Sequence, residues 1–575
     1  MPAHDHAAML AKQEMMTASA QEPAGEVPPH EHPPGTPAVH DHSAMMGAQE
    51  VPPHEHPPGT PAVHDHAAMM AAQGAAGHEH SGATPGASIV QILLGLTLAI
   101  ALGLMLLARR ALRPNHPAAA RAGSNLLDWP VIGKLLGWKH FSLLLALPTL
   151  AIFAFIVLAG LMGEQDTSNP AVLLTWILWW PAVIFSFILL GRIWCVACPF
   201  GYVGDLTRKL FSFNRKVPNI FKNMWWRMGL FLALTWATTM WALDRSPWGT
   251  AWLGLIITMG AVGLGVIYEK RTFCRYVCPL GGIFGLYSMT APVRIGVKDR
   301  TICQHKCPGK ECYKSCAWFE FASTLNRNTE CNLCLDCVRA CPHHNVVLQA
   351  QLPATDLAEF RPYRKSWDEA TTVASVLGVA LLQTVVMLNA WQGWQASIAS
   401  FLHLPPGPVL YTIIFLTVGV VIPVLLVLLI TWAGAPPERL RGDIFHSFRT
   451  YAYAFLPLGL GLHAAHNFHH LFGEGGAMVT GVRNALAQYT GWASLAAAGS
   501  VNAASSIGPN TLFFLQWAAL AGGLFLAYRV TVGVARRDTP QSRSAFGTAL
   551  PVLLFAVAYT VLNFLVLSAP MAHRH

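Results

Sequence analysis

Ten apolar stretches, separated by polar segments, dominate the hydrophobic pattern from residue 88 onward. Each is long enough, or nearly so, to cross ~30 Å of hydrocarbon as a helix that rises ~1.5 Å per residue. The pattern therefore predicts an all-α polytopic membrane protein. Its spans are expected near 88–107, 141–162, 170–190, 224–243, 249–268, 369–391, 409–432, 448–468, 511–531 and 546–567.

The composition supports a membrane protein. Hydrophobic residues make up 53% of the chain and charged residues 12%, whereas globular domains average about 25% charged. This excludes an ordinary soluble protein and disorder over most of the length.

The net charge of +9 comes from basic loops. Loops on one side of the predicted spans hold 31 of the 38 Lys and Arg, and the opposite side, with both termini, holds four. By the positive-inside rule the basic side is cytoplasmic and both termini are periplasmic, in a bacterial inner membrane. Loop charge beside membrane lipid explains the basic balance, so no nucleic-acid partner is expected.

Residues 1–87 form a tail rich in His, Met and Pro, with a 24-residue repeat at 26–49 and 50–73. Its composition predicts disorder, because it lacks the apolar periodicity of a packed segment. Imidazole and thioether groups bind copper, nickel or zinc, so the tail is a candidate chelator, and a neutral repeat expansion is the alternative. The candidate ligands are His30, His32, His40, His42, His54, His56, His64 and His66.

All twelve cysteines lie between Cys195 and Cys341, in dense spacing that indicates metal ligation rather than disulfides. Ten of them fall in the long polar loop 269–368. The predicted organisation is a five-helix membrane domain at 88–290 and a small α+β two-cluster ferredoxin-like domain at 291–350. A linker at 351–368 and a second five-helix domain at 369–575 follow.

The run Cys331-x2-Cys334-x2-Cys337-x3-Cys341-Pro342 has the spacing of bacterial ferredoxins. In that pattern the fourth cysteine ligates a second cluster, and a second run, Cys303-x3-Cys307-x4-Cys312-x3-Cys316, lies upstream. The sequence thus predicts two [4Fe–4S] clusters with crossed ligation. One would be held by Cys316, Cys331, Cys334 and Cys337, and the other by Cys303, Cys307, Cys312 and Cys341.

Two shorter motifs end the third and fifth predicted spans, Arg192-x2-Cys195-x2-Cys198-Pro and Arg271-x2-Cys274-x3-Cys278-Pro. Both fall on the cytoplasmic side, so four thiols are expected at one membrane surface. They could hold iron, an iron–sulfur cluster or copper, or cycle as redox dithiols. The basic neighbours are expected to lower the thiol pKa values; they are Arg192, Lys270, Arg271 and Arg275.

These paired turns, followed by a two-cluster segment, resemble the NapH/NosR/CcoG membrane polyferredoxins over about residues 140–350. The resemblance implies an inner-membrane electron-transfer protein that passes electrons toward quinone or periplasmic partners, or reduces copper during oxidase assembly. The family's usual motif is C-x3-C-P, which Cys274 and Cys278 keep, whereas Cys195 and Cys198 are one residue closer. The five further spans give a long form that looks like the FesM-type proteins of phototrophic proteobacteria, which are linked to cyclic electron flow.

The eighth predicted span carries His463, His466 and His470 on one helical face. Polar groups within a span are candidates for function, here contact with a metal, haem or quinone, and interfacial histidines are the alternative.

The function expected from these features is electron relay between a cytoplasmic donor and the quinone pool, or a partner complex of a respiratory or photosynthetic chain. The chain would then be a quinone- or metal-reducing oxidoreductase subunit or an electron carrier. The alternatives are a copper reduction or assembly factor for a cuproenzyme, and a redox-regulated transporter.

Overall fold

The structure, a computed structural model, describes residues 84–113, 124–359, 367–436, 443, 445–473, 475–492, 494, 507–539 and 545–571. These residues are mostly helical, with one two-stranded sheet. The repeat-bearing tail and its candidate histidine ligands lie outside the described residues.

Within the described ranges, seven helices are long and apolar enough to cross a membrane. Leu102, Leu106 and Ile152 on these helices are half or more exposed, as expected where lipid rather than water surrounds them. The seven helices match seven of the ten predicted spans. They are Ala87–Ala111, Phe141–Met162, Pro170–Leu210, Pro247–Ile267, Pro408–Ala433, Pro509–Asp538 and Ala545–Ser568.

The other three predicted spans are helical but are not among these seven, so the number ten is not confirmed. Trp225–Met240 has only 16 residues. Trp367–Val385 begins with Asp368 and Glu369, which lower its apolar character. The eighth predicted span, 448–468, is divided into the helix His446–Tyr451, a 3₁₀ turn at Ala452–Phe455, and the helix Leu456–Phe468. Pro457 lies where the last helix begins, because proline cannot donate the backbone bond that a continuous helix needs there.

Shorter helices join these elements. They are Pro130–Gly137, Pro279–Tyr287, Glu311–Ser315, Asp336–Arg339, Thr355–Glu359, Trp391–Leu402 and Gly475–Thr490.

The Leu456–Phe468 helix packs closely against the Pro509–Asp538 helix at two glycines. A Cβ on Gly461 would lie 2.8 Å from the Ala519 carbonyl oxygen, and one on Gly523 would lie 2.8 Å from the Pro457 carbonyl oxygen. Small residues permit this backbone approach, as is common between membrane helices. The contact fixes the helix that carries His463.

The polar loop contains an antiparallel pair of strands, β1 (Val293–Val297) and β2 (Val346–Ala350). Val293 pairs with Ala350 and Val297 with Val346, so the strands enclose all eight cysteines from 303 to 341. Ile295 and Leu348 pack with Leu333 and Leu335 in a small buried cluster. The sheet therefore closes the cysteine-bearing segment at its base, in agreement with the α+β character expected there.

Candidate iron–sulfur and thiol centre

The two Cys-Pro turns have the same local backbone. Cys198 (φ −62°, ψ 122°) and Cys278 (φ −50°, ψ 121°) each precede a proline that begins a helix, Pro199–Leu210 and Pro279–Tyr287. Proline forces the preceding residue out of the helical region and is itself suited to the first helical position. The two sequence motifs thus place one cysteine each at a helix N-terminus.

The structure brings the four cysteines of these turns together, and we call them the membrane thiol set: Cys195, Cys198, Cys274 and Cys278. The other three thiols all lie close enough to Cys274 to raise its pKa. The point where Gly201 would carry a Cβ is 3.5 Å from the Cys274 Sγ, so the first turn is in van der Waals contact with the second.

The expectation that nearby arginines lower the thiol pKa values is wrong for Cys274 and Cys278. Burial raises the pKa of Cys278 to about 11 and that of Cys274 well above its usual value, although Arg271 opposes the shift at Cys274. Burial wins because a thiolate loses its hydration in the protein. Thiolates at this position therefore require a bound metal, which displaces the protons.

The eight cysteines of the polar loop fall into two groups of neighbours. Thiols at Cys316, Cys331 and Cys334 each raise the pKa of Cys337, and those at Cys303, Cys307 and Cys341 each raise that of Cys312. These neighbours are consistent with the two sets of the crossed ferredoxin pattern, although Cys312 also acts on Cys337, and the ligation of two clusters stays a prediction. We call these two sets the proximal set (Cys316, Cys331, Cys334, Cys337) and the distal set (Cys303, Cys307, Cys312, Cys341).

The distal set lines a cavity. Its walls contain all four thiols together with Ile302, Phe321, Pro342, His343, Asn345 and Val346. Asn345 donates from its backbone N to the Cys341 Sγ at 3.3 Å and from its Nδ2 to the Cys303 Sγ at 3.1 Å. Such bonds stabilise negative charge on sulfur.

Backbone amides donate to the proximal sulfurs. The Cys316 Sγ accepts from the N atoms of Trp318 and Glu320, both at 3.4 Å, and the Cys331 Sγ accepts from Leu333 N at 3.3 Å. Leu333 and Leu335 have positive φ angles of 56° and 64°, which wrap the chain tightly between the ligands. Burial raises the pKa of Cys331 to about 12.

The residues around the thiols fit anionic metal centres. Arg192 is fully buried, and its Nη1 donates to the Thr329 carbonyl oxygen at 2.8 Å. Its Nε and Nη2 have no partner in the structure. Since an uncompensated buried guanidinium is costly, an iron–sulfur centre with thiolate ligands would supply the negative charge that this cation lacks. Within the described part of the chain, no three His, Cys, Asp or Glu side chains are grouped to hold a single metal ion.

Two segments, 172–218 and 250–298, match the family described as "4Fe-4S binding domain". Each segment contains one Cys-Pro turn, and the distal and proximal sets lie beyond both. The chain therefore carries two matches to a 4Fe–4S binding domain and is similar to membrane 4Fe–4S proteins of the polyferredoxin type.

The curated relatives that the chain resembles include electron-transport and ferredoxin-type proteins. The "Putative electron transport protein YccM" of Escherichia coli is 23% identical over 45% of the chain and 80% of its own length. The "Methylamine utilization ferredoxin-type protein MauN" of Paracoccus denitrificans is 25% identical over 36% of the chain and 82% of its own length. "Protein NirI" of the same organism is 26% identical over 35% of the chain, which spans only 32% of NirI. No solved structure matches the chain.

These similarities and the seven membrane-capable helices indicate an iron–sulfur electron-transfer protein associated with a membrane.

The histidines of the eighth predicted span lie inside the protein. The Nδ1 of His463 is 2.5 Å from the Tyr287 hydroxyl. The Nδ1 of His466 is 3.3 Å from the Thr384 Oγ1, and its Nε2 is 3.1 Å from the Nε2 of the buried His470. Their role as metal ligands stays a prediction.

Sequence reasoning missed Tyr287 and the ion-pair network of Arg327. Tyr287 ends the helix that starts after Cys278. Arg327 lies four residues before Cys331 of the proximal set. It pairs with Glu330 at 2.8 Å and with Glu369 at 2.7 Å. Only the carboxylates at the start of the Trp367–Val385 helix, unusual in an apolar stretch, could have signalled this link.

Proposed function

We propose that this polyferredoxin relays electrons from a cytoplasmic donor, through the distal set, the proximal set and the membrane thiol set in that order, to quinone in the membrane. The observation that carries the proposal is the succession of neighbours. Cys312 of the distal set lies close enough to Cys337 of the proximal set to raise its pKa. Beside the second Cys-Pro turn, the Lys270 Nζ donates to the Cys316 carbonyl oxygen at 2.6 Å, so the proximal set adjoins the membrane thiol set.

Bound [4Fe–4S] clusters supply one-electron chemistry. The chain's own residues would hold the thiolates and donate hydrogen bonds to the sulfurs. The match of both Cys-Pro turns to a 4Fe–4S family favours a third iron–sulfur centre at the membrane thiol set.

Positive charge near the distal set supports entry of electrons from an acidic donor at that set. Lys306, Lys310 and Lys314 are exposed around the distal set, where they would attract an acidic donor. Arg339, also basic and nearby, serves a different purpose, because it pairs with Asp336 at 2.7 Å and donates to the Leu136 carbonyl oxygen at 2.8 Å.

The proposed location is a bacterial inner membrane, with the distal and proximal sets in the cytoplasm and both termini in the periplasm. This orientation rests on the excess of Lys and Arg in the loops on one side. It places the membrane thiol set at the cytoplasmic surface, where a quinone head group can approach.

The test is quinone reduction by membranes that contain the full chain, with a reduced small ferredoxin as donor. Wild-type membranes should reduce quinone, and Cys334→Ser should abolish this while Thr324→Ala, at an exposed position near the proximal set, retains it. Equal rates in Cys334→Ser and wild type would refute the proposal. Copper instead of iron at the membrane thiol set would favour the metal-handling alternative.

A further inference from the structure

Each Cys-Pro turn is preceded by an arginine that packs against the other turn. Arg192 lies three residues before Cys195, and Arg271 lies three residues before Cys274. The Nη2 of Arg192 is 3.6 Å from the Cβ position of Gly281, and the Nη1 of Arg271 is 3.4 Å from that of Gly201. The two glycines are equivalent residues of the C-P-x-G motif, so each arginine packs on the opposite turn.

Each arginine also lies beside the proximal set. Arg192 attracts the thiolates of Cys278 and Cys331. Arg271 attracts those of Cys274 and Cys334. Both guanidinium groups thus lie within reach of one ligand of the membrane thiol set and one of the proximal set.

The equivalent arginines differ in their compensation. Arg271 forms an ion pair with Asp205 at 2.7 Å and donates to the Cys195 carbonyl oxygen at 2.9 Å. Arg192 has no carboxylate partner among the described residues. Its guanidinium lies 4.2 Å from the centre of the Trp318 ring. The neighbouring cation Arg227 is itself attracted by Asp368 and Glu369.

We propose that Arg192 is a positioning residue that sets the reduction potentials of the centres at the proximal set and the membrane thiol set. This inference rests on the proposed electron relay. Each reduction step adds one electron, and a fixed cation in a medium of low dielectric constant stabilises the added negative charge. Arginine cannot lose its proton in a protein, so its charge is present in both redox states. Arg271 contributes less because Asp205 neutralises it.

The test is a redox titration of the anaerobically purified full chain, followed by paramagnetic resonance, with iron and labile sulfide measured for each variant. Arg192→Gln should lower the midpoint potentials of the proximal and membrane centres. At a fixed ambient potential, their oxidised-to-reduced ratio should rise about tenfold, which corresponds to about 59 mV for a one-electron couple. The distal centre should not shift.

Three further variants separate charge from structure. Arg192→Lys keeps the positive charge, so the midpoint potentials of the proximal and membrane centres should stay close to those of the wild type. Asp205→Asn frees the charge of Arg271 and should shift the same centres in the opposite direction. Arg300→Gln, at an exposed arginine, should change nothing.

Unchanged potentials in both Arg192→Gln and Asp205→Asn, with full iron content, would overturn the inference. If Arg192→Gln loses its iron, Arg192→Lys and Asp205→Asn still decide. Failure of the proposed relay would give a different result. The wild-type chain would then contain only the iron of two cubanes, which would show that the membrane thiol set holds no third centre. The effect of Arg192 on the proximal centre would still be measurable.

Discussion

The distal and proximal sets draw on the same ligand chemistry but differ in their surroundings. At the distal set, Cys303, Cys312 and Cys341 are buried, but Cys307 is only half-buried and exposed lysines lie nearby. Cys307 donates to the Glu311 carboxylate at 3.2 Å, and burial is a secondary cause of its raised pKa. At the proximal set, burial is the largest cause of the raised pKa of Cys331, Cys334 and Cys337. Ion pairs of Arg275 and Arg327 with Glu320 and Glu330 surround it. The two sets therefore differ in their surroundings and not in their ligands. The exposed lysines suit the distal set to meet a soluble donor, and the ion-paired surroundings of the proximal set suit it to face the membrane.

Ligand substitutions should separate the two sets most strongly. Cys334→Ser should stop reduction of the membrane thiol set by any donor, an effect larger than the roughly 10–100-fold loss typical of an outer-shell partner. Cys307→Ser should stop reduction by a protein donor yet leave the deeper centres reducible by a small dye. Stopped-flow absorbance with both reductants measures this. Identical behaviour of the two variants would contradict the serial arrangement.

Asn345→Ala should affect the distal centre alone. It removes a side-chain bond to the Cys303 Sγ and two further bonds with Asp299. The distal midpoint potential should fall, and local stability should drop by about 1–3 kcal/mol. Redox titration measures the first effect and the rate of iron loss to a chelator measures the second. A proximal centre that shifts as much as the distal one would show that the sets are not independent.

Charge reversal at the distal surface should slow only the protein donor. The triple variant K306E/K310E/K314E should reduce the donor-driven rate several-fold at low salt, with the difference shrinking as ionic strength rises. The rate with a small uncharged reductant should stay constant. The same reversal at exposed Lys134, Lys139 and Lys222 is the matched control, and an equal loss there would remove the docking role.

The smallest effect is expected at Asp356, which holds the turn beside the proximal set. Its carboxylate accepts from Asn328 N at 2.9 Å and Gln351 Nε2 at 3.0 Å, and burial raises its pKa to about 6. Because the folded state favours the protonated acid, stability should rise as pH falls from about 7 toward about 4, by at most about 3 kcal/mol. Asp356→Asn should flatten this dependence. Thermal bleaching of the visible absorbance across this pH range measures it, and an unchanged slope in the variant would contradict the assignment.

The neighbourhoods of the cysteines could be predicted from sequence, because local spacing limits which thiols can meet. Cys316 lies near Cys337 and Cys341 lies near Cys312, and their joint ligation of clusters stays a prediction. Seven spans could also be predicted, because length and apolar character alone identify long helices such as Phe141–Met162. Trp225–Met240 shows the limit, because a helix end depends on the contacts made by neighbouring segments.

Properties that depend on distant contacts could not be predicted. The burial of Arg192 and its exchange onto the opposite turn need both turns in place. The sign of the pKa shift at Cys278 was predicted wrongly, because sequence shows the charged neighbours but not the desolvation that outweighs them. Tyr287 and His463 are 176 residues apart and meet only through helix packing.

The most direct measurement is metal analysis with paramagnetic resonance on the anaerobically purified full chain and on Cys278→Ser. The account predicts two interacting reduced cubane signals from the distal and proximal sets in both proteins. It also predicts additional iron in the wild type that Cys278→Ser lacks. Zinc in place of iron, or a wild-type chain with no cubane signal after reconstitution, would contradict the account.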